Sequence, residues 1–428
     1  MMNPLPHHKC YRVRASVIPL LGLLTLTLHG ADWSRFRGPD GQGKALDADV
    51  PVTWTATTGI AWKTPLPGAG GSSPVVFGKK IFLTSFSGYG VPGESGGSPA
   101  SLKRHVLCLE RKTGRVLWQK DIPAAQPEEE KVRDHGYAEN TPLADAEHLY
   151  VFLGKSGVFA FTHEGDQLWH TDVGSGTHGW GSGSSPIVHD DLLIVNACVE
   201  SESLVALNRE TGREVWRARG LKESWNTPIL VPTADGRTEL VLAIFGKVLG
   251  VDPKTGESLW SCATDIGWYM VPSLVNQRDL IACTGGRGGG GTLVVRAGGR
   301  GDVTGSRRLW KISKGSNVPS PILHEDHLYW FDPNLGIVTC VEMATGKVVF
   351  EKRLDRAGQI YASPVLAGGK IYAVTRGGTV FVIAAKPRFE LLARNDLHDG
   401  GGFDASPAVL DAALLIRSDR FLYGIGKP

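Results

Sequence analysis

The residues best placed to do chemistry sit in seven short segments, each running into a proline: HGYAENTP (135–142), HGWGSGSSP (178–186), KESWNTP (222–228), GWYMVP (267–272), GSNVPSP (315–321), GQIYASP (358–364) and GGFDASP (401–407). They carry the rings of Tyr137, Trp180, Trp225, Trp268, Tyr269, Tyr361 and Phe403, and the polar groups Glu139, Asn140, His178, Asn226, Asn317 and Asp404. Aromatic faces with a few polar groups around a concavity make a small-molecule pocket. A second set of turns supplies Lys155, Lys247, Arg287, Arg376 and Arg420. Cations converging from several repeats would make the mouth of such a pocket positive and draw in an anionic ligand. No catalytic residue is assigned, because no Ser-His-Asp constellation is recognisable and GYGVPGESGGSPASLK (88–103) reads as an inserted loop. His135, His178 and Glu139 lack the HxH or HExxH spacing of a metal site, so no metal is assigned either. GGRGGGG (285–291) has neither the Gly-Lys-Ser/Thr ending nor a following helix, and reads as a turn between strands.

Two marks recur through the chain and define what must position these groups. One is a Ser, Thr or Val followed by proline at Pro74, Pro142, Pro186, Pro228, Pro272, Pro321, Pro364 and Pro407. After a first gap of 68, the spacings are 44, 42, 44, 49, 43 and 43. The other is a ring or apolar residue in a short strand: Trp62, Trp118, Trp169, Trp216, Trp260, Trp310, Phe350 and Leu392. Strand-like runs such as KIFLTSF (80–86) and KIYAVT (370–375) lie between the marks, and Thr-Gly turns precede four of the second set. Units of about 40–45 residues with four short strands and no helical period are propeller blades. The expected fold is all-β: an eight-bladed β-propeller of four-stranded antiparallel blades over residues 60–428. IAWKTPL (60–66) reads as a lone fourth strand, and the C-terminal end as three strands lacking one. Their pairing would close the ring and remove an open edge. Trp62, Trp118, Trp169, Trp216, Trp260 and Trp310 are expected to dock blade against blade rather than touch a cofactor.

Lys9, Arg12 and Arg14 ahead of the apolar run Ala15–Leu28 have the layout of a secretory signal peptide over residues 1–31, followed by an extension over 32–59. The chain is therefore expected to cross the inner membrane into the periplasm or beyond, with no transmembrane segment after cleavage. Five cysteines remain after Cys10, none in a CxxC pair, and they read as small buried thiols. A net charge of +3 over 428 residues shows no dense basic face, so nucleic acid is not expected as a partner.

CLERKTGRVLW, ALNRETGREVW, GVDPKTGESLW and CVEMATGKVVF resemble the repeat of quinoprotein propellers, roughly Ala-x-Asp-x-x-Thr-Gly-x-x-x-Trp. DWSRFRGPDGQG (32–43) with AWKTPLPGAGGSSPVV (61–76) looks like a group of secreted bacterial proteins carrying this repeat. The resemblance implies the propeller, and it implies two kinds of role. One is a dehydrogenase binding pyrroloquinoline quinone (PQQ) with calcium. The other is a periplasmic scaffold that helps assemble outer-membrane barrels. The dehydrogenases carry adjacent cysteines near the quinone, and this chain has no Cys-Cys. The expected function is thus a non-catalytic, monomeric binding or scaffold propeller of the envelope, with a protein or glycan as partner. A small PQQ quinoprotein and a polysaccharide-binding accessory protein are the alternatives.

Overall fold

The computed structural model describes residues 1–2, 32–133, 135–287 and 290–427. The signal-peptide reading falls on residues outside this range. Among the described residues the chain forms eight sheets, each built on four antiparallel strands, an eight-bladed β-propeller. Blade 1 runs outward through Val75–Phe77, Lys80–Ser87, Lys103–Glu110 and Val116–Pro123. First strands of neighbouring blades approach each other, as in blades 1 and 2, 5 and 6, 6 and 7, and 7 and 8, which sets these strands around the axis. Helix is confined to single turns such as Cys198–Ser201. In blade 8, Ala408–Val409, Ala413–Arg417 and Phe421–Gly426 take Ile60–Pro65 as their outer strand, antiparallel, with Lys63 opposite Tyr423.

Alternation explains the strands. In Val116–Pro123 every second residue faces solvent, whereas Ile81–Phe86 in the second strand is buried on both faces. Each blade presses one apolar face on its neighbour, so the core is divided into clusters between blades, such as Val75, Phe82, Val106 and Cys108 against Leu149, Val151 and Phe161. The cysteines among the described residues, Cys108, Cys198, Cys262, Cys283 and Cys340, lie in these seams as unpaired, buried thiols. Burial pushes those of Cys108 and Cys340 up to about 12, far from a reactive thiolate.

The tryptophans of the outer strands lock onto the next blade. Trp169 donates its indole N–H to the Arg209 carbonyl at 3.0 Å and covers Gly212. A Cβ on Gly212, whose φ is +70, would stand 2.6 Å from the Trp169 ring. Trp62, Trp118, Trp216 and Trp310 lie in the same way over Gly114, Gly165, Gly256 and Gly346. Trp260 departs from this pattern. Its indole donates to the buried Glu239 carboxylate at 2.7 Å, and Glu239 also accepts the Gly298 N–H. The cause is local: blade 5 carries a longer connection over 297–307 in place of the Thr-Gly turn, and Gly301–Asp302 adds a parallel strand to the edge of blade 4.

A belt of hydroxyls joins the blades around the axis. The N–H of Ser73 donates to Thr141 Oγ1, that of Thr141 to Ser185, Ser185 to Thr227, Thr227 to Ser273, Ser273 to Ser320, Ser320 to Ser363 and Ser363 to Ser406, all at 2.9–3.0 Å. The repeating feature of the Ser/Thr-Pro mark is thus its hydroxyl. In blade 5 the belt residue is Ser273, which follows Pro272, so the proline mark is out of step there by one place. Counted on the hydroxyl, the uneven spacings of 44 and 49 become 46 and 47.

Candidate functional site

Below the belt the central channel is shut by the chain's own extension. Trp33 pairs with Val76 of blade 1, and the Ser34 carbonyl accepts the Ala144 N–H of blade 2. Arg37 Nη2 then reaches the Pro321 carbonyl of blade 6 at 2.6 Å, and Gln42 exchanges hydrogen bonds with Asn276 of blade 5. Lys44–Ala45 ends the crossing as a parallel strand on Val365–Ala367 of blade 7. Blades 2 and 6 stand opposite each other in a ring of eight, so residues 33–45 form a strap across the axis. Arg37 is 1% exposed, and its guanidinium also donates to Gly41 and Gln42 within the strap. Residues 48–59 continue between blades 7 and 8, where Asn395 accepts the Trp54 N–H and donates to the Val52 carbonyl.

Above the strap lies a funnel of about 380 Å³, within the range of small-molecule sites. Phe36 of the strap lines it, and six of the belt hydroxyls circle it. On one side Trp180, Trp225 and Tyr269 form an aromatic wall, with ring centroids 5.9 Å apart for Trp180–Tyr269 and 5.4 Å for Trp225–Tyr269. The Trp225 indole N–H is spent on the Gly181 carbonyl at 2.8 Å, which fixes the ring. On the other side stand Asn317, Asn334, Gln359, Tyr361 and Asp404.

The carboxylates of the funnel are held internally, while Arg287 on its wall is exposed. Asp404 holds both oxygens on Arg376, at 2.7 and 2.9 Å, and Arg376 lies over the Tyr361 ring at 4.4 Å. Glu139 accepts the Gly71 N–H at 2.8 Å and stands 3.8 Å from His135 Nδ1. Burial, and then the nearby charge of Asp404, raise its carboxyl well above the ordinary range, against the pull of Arg417. Arg417, fully buried behind this wall, donates to the carbonyl and hydroxyl of Ser72, while Nε and Nη2 have no partner. Burial lowers it to about 10.

Of the residues singled out by sequence, Glu139, Trp180, Trp225, Tyr269, Asn317, Tyr361, Asp404 and Arg287 line this one cavity. The others lie elsewhere. Tyr137, Asn140, His178 and Lys155 border a separate crevice of about 20 Å³ beside Arg104 and Glu128, where Asn140 Nδ2 is bound to the Ser184 carbonyl and Lys155 to that of Pro127. Asn226 spends its amide on Ala243, Ser224 and Met270 inside the sheet. Trp268 packs against the cluster between blades 4 and 5, and Phe403 is buried against Tyr423. Lys247 faces solvent, and Arg420 is turned onto the Asp399 carbonyl and the Phe421 ring. Only Arg287 of the five cations is on the funnel wall, so the wall carries less positive charge than the turns suggested. Phe36, Asn334 and Gln359 had no signal in the repeat: Phe36 lies outside it, and the other two carry ordinary turn residues.

The sequence profile of the family described as outer membrane protein assembly factor BamB matches residues 59–198, 158–310 and 301–388. The chain belongs to this family. No curated protein matches it. Among solved structures it is similar to BamB from Moraxella catarrhalis, at 14% identity over 85% of this chain and 97% of that one, with a TM-score of 0.56. It is also similar to quinohemoprotein alcohol dehydrogenase from Comamonas testosteroni, at 12% identity over 92% and 80%, with a TM-score of 0.63. The computationally designed Ika8 protein matches at 12% identity over 86% and 99%, with a TM-score of 0.58. An assembly factor, an enzyme and a design sharing one architecture leave function to the site, not the fold.

The funnel residues do not fit a quinone–calcium pair. Both oxygens of Asp404 are held by Arg376, and Glu139 faces Gly71 and His135. Among the described residues, the convergent cluster of potential metal ligands is Glu147, His148 and Glu210 at the outer surface, away from the funnel. No helix among them is long and apolar enough to cross a membrane.

Proposed function

We propose that this protein is a non-catalytic binding propeller of the cell envelope, and that its funnel takes a small ligand or the exposed end of a larger one. The observation that carries this reading is the blind funnel itself: a rigid aromatic wall, a paired polar wall and a floor supplied by Phe36. Preorganised rings bind with little loss of side-chain entropy. Membership in the BamB family supports the envelope setting.

The test uses Gly183, which lines the funnel. A Cβ there meets nothing closer than 3.7 Å, so Gly183→Leu fills the space without disturbing the backbone. A mixed panel of neutral, anionic and cationic small molecules is screened by melting shift. At least one compound should stabilise the wild type and leave Gly183→Leu unmoved. Dye-linked alcohol oxidation in the presence of PQQ and calcium should show no turnover, and turnover abolished by Gly183→Leu would overturn the non-catalytic reading.

A further inference from the structure

We infer that the funnel's ligand is a neutral sugar ring, stacked on Trp180, Trp225 and Tyr269 and hydrogen-bonded through its hydroxyls to Asn317, Gln359 and Asp404. This rests on the funnel being the binding site. The two walls set the chemistry. The aromatic wall offers ring faces with no donor from Trp225, whose N–H is already used. The rings are tilted, by 47° for Trp180–Tyr269 and 64° for Trp225–Tyr269, so they form an apolar corner that suits the C–H face of a pyranose, where a peptide or nucleotide would bring groups needing partners. The opposite wall offers planar polar groups in fixed orientations. Asn317 lines the cavity, and its buried Oδ1 has no hydrogen-bond partner among the described residues, which leaves amide capacity unused at this wall. Asp404, held in the Arg376 fork, has a fixed carboxylate plane to accept hydroxyls. The hydroxyls of Ser320, Ser363 and Ser406 each accept one N–H and keep their own proton to donate.

Charge excludes the competing classes. The Asp404 charge is cancelled by Arg376, and Glu139 is held toward its neutral form by burial. A charged ligand entering this cavity would lose hydration, and the one cation outside an ion pair among the described residues of the wall, Arg287, is exposed and solvated, so it offsets little of that loss. A neutral, many-hydroxyl ligand loses little and satisfies both walls.

The experiment is a tryptophan-fluorescence titration of the full chain. The probes are glucose, N-acetylglucosamine, cellotriose, maltotriose and triacetylchitotriose, with trigalacturonate, PQQ and choline as charged arms. At least one neutral sugar should bind saturably, about tenfold more weakly in Tyr269→Ala and not at all in Gly183→Leu, while Tyr269→Phe binds as the wild type does. Both losses must occur at unchanged melting temperature. A trisaccharide binding tighter than its monosaccharide identifies a glycan end as the source, and equal affinity identifies a free sugar. Binding of charged probes alone, lost in Gly183→Leu, overturns the sugar assignment and leaves the funnel reading standing. Sugar binding unaffected by either variant, or none at about 10 mM, overturns the assignment as well. A blank result here together with a blank mixed panel removes both.

Discussion

Removing one hydroxyl from the belt separates a structural role from a solvent-replaceable one. Ser185 is 1% exposed, and its Oγ accepts the Thr141 N–H at 3.0 Å. In Ser185→Ala that buried N–H loses its partner, at a cost of about 1–3 kcal/mol. Ser185 does not line the funnel, so no cavity water stands ready to replace it, and the upper half of that range is expected. Ser363 makes the same bond, accepting the Ser320 N–H at 2.9 Å, but it does line the funnel. Water can take its place in Ser363→Ala, which should cost about 1 kcal/mol or less. Urea unfolding reads the difference. With a slope of about 3 kcal/mol/M, a loss of 2 kcal/mol moves the midpoint by about 0.7 M. Ser185→Thr keeps the hydroxyl, as Thr227 does at the equivalent place in blade 4, and should stay near the wild type. Equal midpoints for Ser185→Ala and Ser185→Thr, or a larger loss in Ser363→Ala, would refute the account of the belt.

Trp216→Ala should destabilise the fold by about 3–5 kcal/mol, whereas Trp225→Ala should lose less, because one side of that ring meets the funnel; calorimetry on both variants compares them. The buried Glu200 carboxyl, beside Ser182 and facing Arg104 and Glu128, is pushed up to about 7 by burial. The folded chain therefore holds a proton that the unfolded chain releases above about 4.5, so stability declines from that pH to about 7 and then levels, by about 3 kcal/mol in all. Urea midpoints between pH 4.5 and 8 should fall in the wild type and fall less steeply in Glu200→Gln, with the buried Glu139 supplying the slope that remains. Arg37→Ala removes the donors to Gly41, Gln42 and Pro321, and should expose Lys44 to trypsin under native conditions; a strap as resistant as in the wild type would show that Arg37 does not hold it.

The blades were legible because each is a local object. A four-strand unit with its Thr-Gly turn and outer tryptophan is written within about 45 residues, so periodicity alone counts them. Even the docking of Trp169 recurs in Trp118, Trp216 and Trp310, each indole donating to a backbone carbonyl of the next blade. The exceptions came where local chemistry changed: the longer connection in blade 5 gave Trp260 a carboxylate partner, and Pro272 slipped one place from the belt.

The funnel was legible only in part. The loops entering each blade name residues that approach the axis, but not which way each side chain turns. Trp225 and Asn226 are neighbours, yet one faces the funnel and the other bonds the sheet, since adjacent residues point to opposite sides. Likewise the cations of the turns were visible as charges, while Arg376 found Asp404 and Arg420 turned away to Asp399. The strap lies furthest from any sequence signal. Residues 33–45 have no repeat to align with, and their hydrogen-bond partners, such as Pro321 and Leu366, lie far along the chain. Period, strand and turn are short-range properties of the chain, and the residues carry them openly. A closed channel with balanced charges exists only once blades 1 and 8 meet, because its walls are contributed by segments that share no local sequence.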